Sequence, residues 1–250
     1  MVIREDRDGI RVLRLAHGKV SAMDVALGET LTREIAAALD SSVRAIVITG
    51  TGSSFSAGVD LFQVVTGGAG YVERFLPVLD AMLRDVLTMP KPVVAAVNGH
   101  AIAGGCILAA ACDHRVMAEG NGRIGVPELV VGVPFPALAF EILASRVPVA
   151  ALRSLVYSGR TVQVDEGLVT GLVDEKSPAN LLVDRACEVA RRLAAIPAEA
   201  FALTKLAFNT PVLERVRQLA EVNARVVHSW MQPDTYETIR TYLARTVGKK

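Results

Sequence analysis

Aliphatic residues fall in short runs along the first two-thirds of the chain: IRVLRLA (10–16), RAIVIT (44–49), PVVAAV (92–97) and HRVMA (114–118). Each run is bounded by Gly, Asn or charged residues, so four strands are predicted there. Between them lie stretches with helical spacing. Asp24 can cap a helix running towards Leu39, with Val25, Ile35 and Leu39 among its apolar positions. Residues 71–88 repeat apolar positions every three to four residues, with Pro77 inside the pattern. Strands alternating with helices predict an α/β core.

The pattern changes after about residue 180. Ala, Leu, Arg and Glu dominate from there, and no glycine occurs until Gly248. Helices are predicted over 182–195, 198–208, 211–229 and 234–246, separated near Pro197, Pro211 and Pro233. The chain therefore divides into an α/β core, 1–180, and a helical C-terminal region, 181–250, of the kind that serves as a lid or an oligomer contact.

Composition narrows this picture. Of 250 residues, 51% are hydrophobic but only 5% aromatic, so the core is built from Ala, Val, Leu and Ile. That mix suits buried parallel strands wrapped by helices. The 27 basic and 26 acidic residues nearly cancel and form no like-charged run, which argues against a nucleic-acid partner. Cys106, Cys112 and Cys187 have neither the spacing of a disulfide framework nor the CxxC pairs or nearby His of a zinc site. No metal is expected, and a reducing, cytoplasmic setting is. The opening MVIREDRDGI has no apolar h-region, so no signal peptide is read there. Residues 92–112 carry no Asp, Glu, Lys or Arg, but Pro92, Asn98-Gly99-His100 and the glycines at 104 and 105 interrupt them. A strand, a turn and a buried helix fit that stretch better than a membrane span.

Three segments can carry chemistry. FSAGVDL (55–61) follows a strand and the turn Gly50-Thr51-Gly52. It either exposes consecutive backbone N–H groups that bind an anion, or Asp60 simply caps the next helix. In NGHAIAGGCILAAACD (98–113), Gly104 and Gly105 precede an Ala-rich helix. They either let a ligand approach free N-terminal amides or allow tight helix packing. His100, beside a turn, reads as a local hydrogen-bonding residue rather than a general base, and Asp113 as a structural ion-pair or capping residue. In RIGVPELVVGVPFP (123–136), Glu128 stands between Val126-Pro127 and Leu129-Val130-Val131. It is either a desolvated carboxylate with raised pKa, suited to act as a base, or a solvent-facing residue on a buried segment.

In this order and spacing the three segments resemble the enoyl-CoA hydratase/isomerase (crotonase) family, over nearly the whole chain from Lys19-Val20-Ser21-Ala22-Met23 to the C-terminal helices. The resemblance implies a spiral of ββα units followed by a helical trimerisation region, hence a homotrimer or a hexamer. It implies an acyl-CoA thioester as substrate, with coenzyme A arriving as part of that substrate and no separate cofactor. Carried over by motif, the amides of Val59 and Gly104 form an oxyanion hole. Ala22, Ala57, Gly58, Asp60, Leu61 and Pro127 join them in lining the substrate site, and Lys19 is a candidate for the CoA phosphates. Hydratases of this kind carry two glutamates, one directly after Gly-Gly-Cys; that position here is Ile107, and only Glu128 remains. Ala-Gly-Gly-Cys followed by an aliphatic residue, with one downstream Glu, is similar to the Δ3,Δ2-enoyl-CoA isomerases. So are VGVPFPALAF (131–140), AIPAEAFALTK (195–205) and the terminal SWMQPDTYETIRTYLAR. The expected reaction is conversion of 3-enoyl-CoA to trans-2-enoyl-CoA, with Glu128 moving the proton from C2 to C4. A departure is Ser21, where many relatives have Asn. The rival readings are a hydratase, acting through Glu128 alone or with Glu119 or Glu141 restoring the second role, a thioester hydrolase or decarboxylase, and a non-catalytic acyl-CoA-binding scaffold.

Overall fold

The computed structural model describes residues 1–39 and 42–246. An antiparallel hairpin of β1 (Val2–Arg7) and β2 (Ile10–Leu15) leads into helix α1 (Val25–Ala37). The chain then repeats one pattern three times. The first turn is β3 (Ala45–Thr49), β4 (Ser54–Ser56) and α2 (Leu61–Thr88); the second is β5 (Val93–Val97), β6 (His100–Ile102) and α3 (Gly104–Ala111). The third is β7 (His114–Ala118), β8 (Ile124–Gly125) and α4 (Glu128–Val131). Helices α5 (Ala137–Arg146) and α6 (Val149–Ser158), strand β9 (Thr161–Val162), helix α7 (Val164–Thr170) and strand β10 (Glu175–Ser177) follow. The chain closes with α8 (Leu182–Ala194), α9 (Ala198–Gln218), α10 (Ala220–Trp230) and α11 (Pro233–Thr246).

Each turn of the spiral gives one strand to a large sheet and one to a small sheet. The large sheet has the order β1-β2-β3-β5-β7-β10, parallel except for the first hairpin; the small one has the order β4-β6-β8-β9. This is the expected spiral of ββα units. The four strands predicted from aliphatic runs are β2, β3, β5 and β7, with ends shifted by a residue at most. β3 and β5 are buried at every position, because helices cover both faces of the sheet. Alternate residues serve two different cores. Leu13, Ile46, Ile48, Val93 and Ala95 join the main cluster with α1, α2 and α3. Val12, Ala45, Val47, Val94 and Ala96 face the other way, against Ala186, Cys187, Val189 and Ala190 of α8. The helical C-terminal region thus starts with a helix that closes the back of the sheet.

β1 is absent from the aliphatic pattern because its sequence, VIREDR, is charged along most of its length. It is an edge strand, where charge guards against pairing with another chain. Its Asp6 also neutralises Arg11, which is almost fully buried on β2, through an Nε–Oδ1 contact of 2.9 Å.

The helices depart from expectation in two places. The helix expected over 71–88 begins at Leu61, and its regular geometry is broken at Gly68 (φ 57°, ψ −151°), while Pro77 is accommodated inside it. The break expected at Pro211 does not occur, and α9 runs through it to Gln218. Proline removes one backbone donor, but side chains just before it fasten α9 to the core. Asn209 Nδ2 donates to the Leu87 carbonyl (2.8 Å), and Lys205 Nζ donates to Asp113 Oδ2 (2.7 Å). The chain turns instead at Leu219 (φ −88°, ψ 11°), one residue after α9 ends. Asp24 caps α1 as expected, Oδ1 accepting from the Leu27 N–H at 2.8 Å.

Asp113 has the structural role expected of it. Besides receiving Lys205, its Oδ2 accepts from the Val93 N–H (2.8 Å), and both side chains of the ion pair are largely shielded from solvent. Removing one member of such a pair leaves a buried charge uncompensated. Burial already lowers the Lys205 pKa, so proton loss relieves part of that cost. Asp113→Ala is expected to lower unfolding free energy by about 3 kcal/mol, measured by urea denaturation at neutral pH. Adding Lys205→Met should recover part of the loss.

Candidate active site

The three segments singled out in the sequence follow the small-sheet strands β4, β6 and β8, so the spiral stacks them side by side. After β4 the chain enters the loop 57–60, which is tied to the turn before α1. The Ala57 N–H donates to the Val20 carbonyl (3.0 Å), and the Met23 N–H to the Gly58 carbonyl (2.7 Å). The Asp60 N–H donates back to the Met23 carbonyl (2.8 Å). Gly58 and Asp60 therefore point their backbone groups at Met23. In extended backbone the residue between them points its N–H the opposite way, and that residue is Val59, bridged in parallel to Met23.

Gly58 has to be glycine for two reasons. Its φ is +81°, and a Cβ there would lie 2.6 Å from the Ile102 carbonyl oxygen and 3.0 Å from the Gly104 nitrogen. The loop of the first repeat thus rests directly on the β6–α3 junction of the second. At that junction Ala103 takes a left-handed conformation (φ 52°), its N–H held by the Gly125 carbonyl at 2.8 Å. Gly104 opens α3, so its N–H has no carbonyl within the helix to receive it. Val59 and Gly104 thus become neighbours from consecutive repeats, a Cβ at Gly104 lying 3.8 Å from Val59 Cγ2.

The third repeat supplies Glu128. It is the first residue of α4, and its own carbonyl accepts from the Gly132 and Val133 N–H groups at 2.9 and 3.0 Å. The side chain is buried, 6% exposed, and Oε2 has no hydrogen-bond partner. Burial pushes its pKa up to about 8, opposed only weakly by its own backbone N–H. The solvent-facing alternative for Glu128 is thereby ruled out.

These parts line one cavity of about 90 Å³, which includes Ala57, Val59, Leu61, Gly104, Pro127 and Glu128. Ile107, from the second turn of spiral, also lines it. Six of the residues expected at the site are therefore brought together. Gly58 lies behind the wall, against Gly104. Asp60 does what the simpler reading held: its Oδ1 caps α2, accepting from Phe62 and Gln63 N–H at 3.0 and 3.1 Å. Ala22 is outside the cavity, on the turn that holds the 57–60 loop, and Lys19 is exposed on the same turn. Ser21 is buried there with φ 47°, a conformation that favours Asn and Gly. It is held by Oγ donation to the Leu15 carbonyl (3.0 Å).

The carboxylates offered as a second acid are elsewhere. Glu119 is half exposed near Lys176, and Glu141 is buried on α5, paired with Arg215 at 2.7 Å. His100 is likewise outside the cavity. The far wall is made by Leu79 of α2, Val131, Val133, Ala139 of α5, Trp230 of α10 and Tyr242 of α11. All but Leu79 fall in the segments 131–140 and 229–245 that resemble the isomerases, although the sequence did not single them out one by one. Burial raises the Tyr242 pKa, with the nearby Glu128 charge adding to it.

Comparison with known proteins identifies the family. The enoyl-CoA hydratase/isomerase family description matches residues 5–247, and the chain belongs to that family, whose members act on acyl-CoA. A Thermus thermophilus protein with a provisional enoyl-CoA hydratase name is 40% identical over 66% of this chain and 66% of its own length. The short-chain-enoyl-CoA hydratase of Clostridium acetobutylicum is 32% identical over 68% of this chain and 65% of its own. The matched segment is thus just under two-thirds of each of these relatives. An enoyl-CoA isomerase structure from Mycobacterium tuberculosis superimposes with a TM-score of 0.82 at 32% identity, covering 90% of this chain and 97% of that one. Human mitochondrial Δ3-Δ2-enoyl-CoA isomerase shares the fold at a TM-score of 0.94 with 22% identity, covering 100% and 99%. Among the described residues no helix is long and apolar enough to cross a membrane, and no group of three or more His, Cys, Asp or Glu is placed to hold a metal ion.

Glu128 also sets a pH dependence of stability. Its folded pKa lies above the ordinary glutamate value, so between about pH 4.5 and 8 the folded protein holds a proton that the unfolded chain has released. Stability therefore falls as pH rises through that window. Glu128→Gln, which stays neutral, should remove this slope. The variant is expected to be more stable than the native protein at pH 8, on the order of 2–4 kcal/mol, and to differ little at pH 5. Urea denaturation at both pH values measures it.

Proposed function

We propose that this protein moves the double bond of a 3-enoyl-CoA to give the trans-2-enoyl-CoA, using Glu128 as its single acid–base group. The observation that carries the reading is the lone carboxylate: among the described residues lining the cavity, Glu128 alone is acidic, and Ile107 stands where a second one would act. A carboxylate in apolar surroundings, its pKa near 8, is a stronger base than one in water. Glu128 takes a proton from C2, the electrons pass through the C3–C4 double bond as a dienolate, and the same carboxyl returns the proton at C4. The proton is conserved and no electrons are gained or lost, so the balance calls for no redox cofactor. The negative charge that develops rests on the thioester oxygen, and the N–H groups of Val59 and Gly104 are the donors for it. Loss of one such donor typically raises a barrier by about 3–4 kcal/mol.

The alternative with separate support is a hydratase, the activity named for the T. thermophilus and C. acetobutylicum relatives. It requires one carboxylate both to hold water and to manage the C2 proton, and the apolar lining supplies no second group. A catalytically silent acyl-CoA binder is less economical, because an unpartnered buried carboxylate costs stability without helping to hold a neutral acyl chain.

We further propose that the protein works as a homotrimer or a dimer of trimers. Leu203, Leu206 and Phe208 on α9 are more than half exposed, an unusual display for large apolar side chains. A cytoplasmic setting suits the three buried, unpaired cysteines.

Three results are expected. The protein should convert 3-hexenoyl-CoA and barely hydrate 2-hexenoyl-CoA, followed by chromatography of the products; rapid hydration would overturn the isomerase reading. Glu128→Gln should cost roughly 10²–10⁴ in turnover, and native kcat/KM should rise with pH towards a plateau governed by a group of pKa about 8. Light scattering should give a mass at least three times the 26.6 kDa of one chain.

A further inference from the structure

Residues of α2, α5, α10 and α11 line the cavity together with the loop 57–60. Trp230 is 2% exposed, and its indole Nε1 donates to the Pro134 carbonyl at 2.8 Å. That bond anchors the ring, whose indole N–H would lose its partner if it swung aside within the core. Leu79, Val131, Val133 and Ala139 complete the wall around it. The whole cavity is about 90 Å³. An apolar cavity of roughly 150 Å³ takes a benzene ring, so the smaller space here suits a short, narrow chain of carbons rather than a ring or a long chain.

The wall is also uniform in character. Among the described residues lining the cavity, Glu128 and Tyr242 are the polar side chains, and none is Lys, Arg or His. A terminal carboxylate would be stripped of water with no cation to meet it, in a space that already holds a buried glutamate.

We propose that the acyl group accepted here is short, about four to six carbons, uncharged at its far end, and stopped by Trp230. This rests on the reading of the cavity as the acyl site of a CoA thioester, but not on the direction of the chemistry. Each methylene that fits should tighten binding about fourfold, and growth should cease once the chain reaches the indole.

Saturated acyl-CoA esters test this without any double-bond shift. Trp230, as the only tryptophan, reports the filling of the site by its own fluorescence, and calorimetry gives the affinities. Binding is expected to strengthen from acetyl to butanoyl and hexanoyl, then level off or fall at decanoyl. A six-carbon acyl-CoA ending in a carboxylate should bind at least about thirtyfold more weakly than hexanoyl-CoA. Ala139→Leu should weaken hexanoyl-CoA by at least about tenfold and spare butanoyl-CoA. Trp230→Ala should move the optimum to longer chains by calorimetry. If that variant does not fold, Ala139→Leu decides the matter alone. Affinity that climbs steadily to decanoyl in the native protein, or an optimum unmoved by Ala139→Leu, would overturn the proposal. A clear chain-length limit without isomerase activity would leave it standing and sink the proposed reaction; isomerase activity without a limit would do the reverse.

Discussion

Successive turns of the spiral touch backbone to backbone, and the rest of the structure depends on that contact. A Cβ at Gly99, in the second repeat, would overlap the Ser53 carbonyl of the first, and the His100 N–H donates to that same carbonyl at 2.9 Å. Asn98 binds across the gap as well, its Oδ1 accepting from Gly50 N–H (2.8 Å) and its Nδ2 donating to Gly52 and Ser54 carbonyls (3.0 and 3.2 Å). Further along the same two repeats, Gly58 rests on Ile102 and Gly104 in the same manner. Side chains at these points would push the repeats apart. Val59, Gly104 and Glu128, which come from three separate repeats, would then no longer line one cavity.

The same closeness explains what could be read in the sequence and what could not. The large-sheet strands were legible because burial on both faces demands continuous aliphatic runs such as AIVIT and VVAAV. The small-sheet strands were not, since β4, β6, β8 and β9 are two or three residues long and leave no period to detect. β1 was hidden by its own charges. Pro211 was misread as a helix end because the force that carries α9 past it comes from Lys205 and Asn209 gripping residues about a hundred positions earlier. No local window contains that information.

The candidate site divides along similar lines. Its candidate catalytic edge could be proposed because three segments, each ambiguous alone, gain meaning from their order and spacing. Asp60 shows the limit of that method: it is flanked by the right residues yet spends its carboxylate on capping α2. The individual residues of the far wall could not be picked out, for a different reason. Val131, Ala139 and Leu79 are ordinary core residues by composition, and only the way α2, α5 and α10 converge makes them a boundary rather than a filling.

That convergence has a consequence for how the molecule comes into being. Trp230 and Tyr242 belong to the last two helices, whereas the amides and glutamate they face were laid down roughly a hundred residues or more before. On a ribosome the spiral can wind as its repeats emerge, each supported by the one before it. The chamber stays open on one side through all of that time, its aliphatic lining wet. Synthesis of α10 and α11 shuts it, so the pocket is among the last features of the protein to acquire a shape.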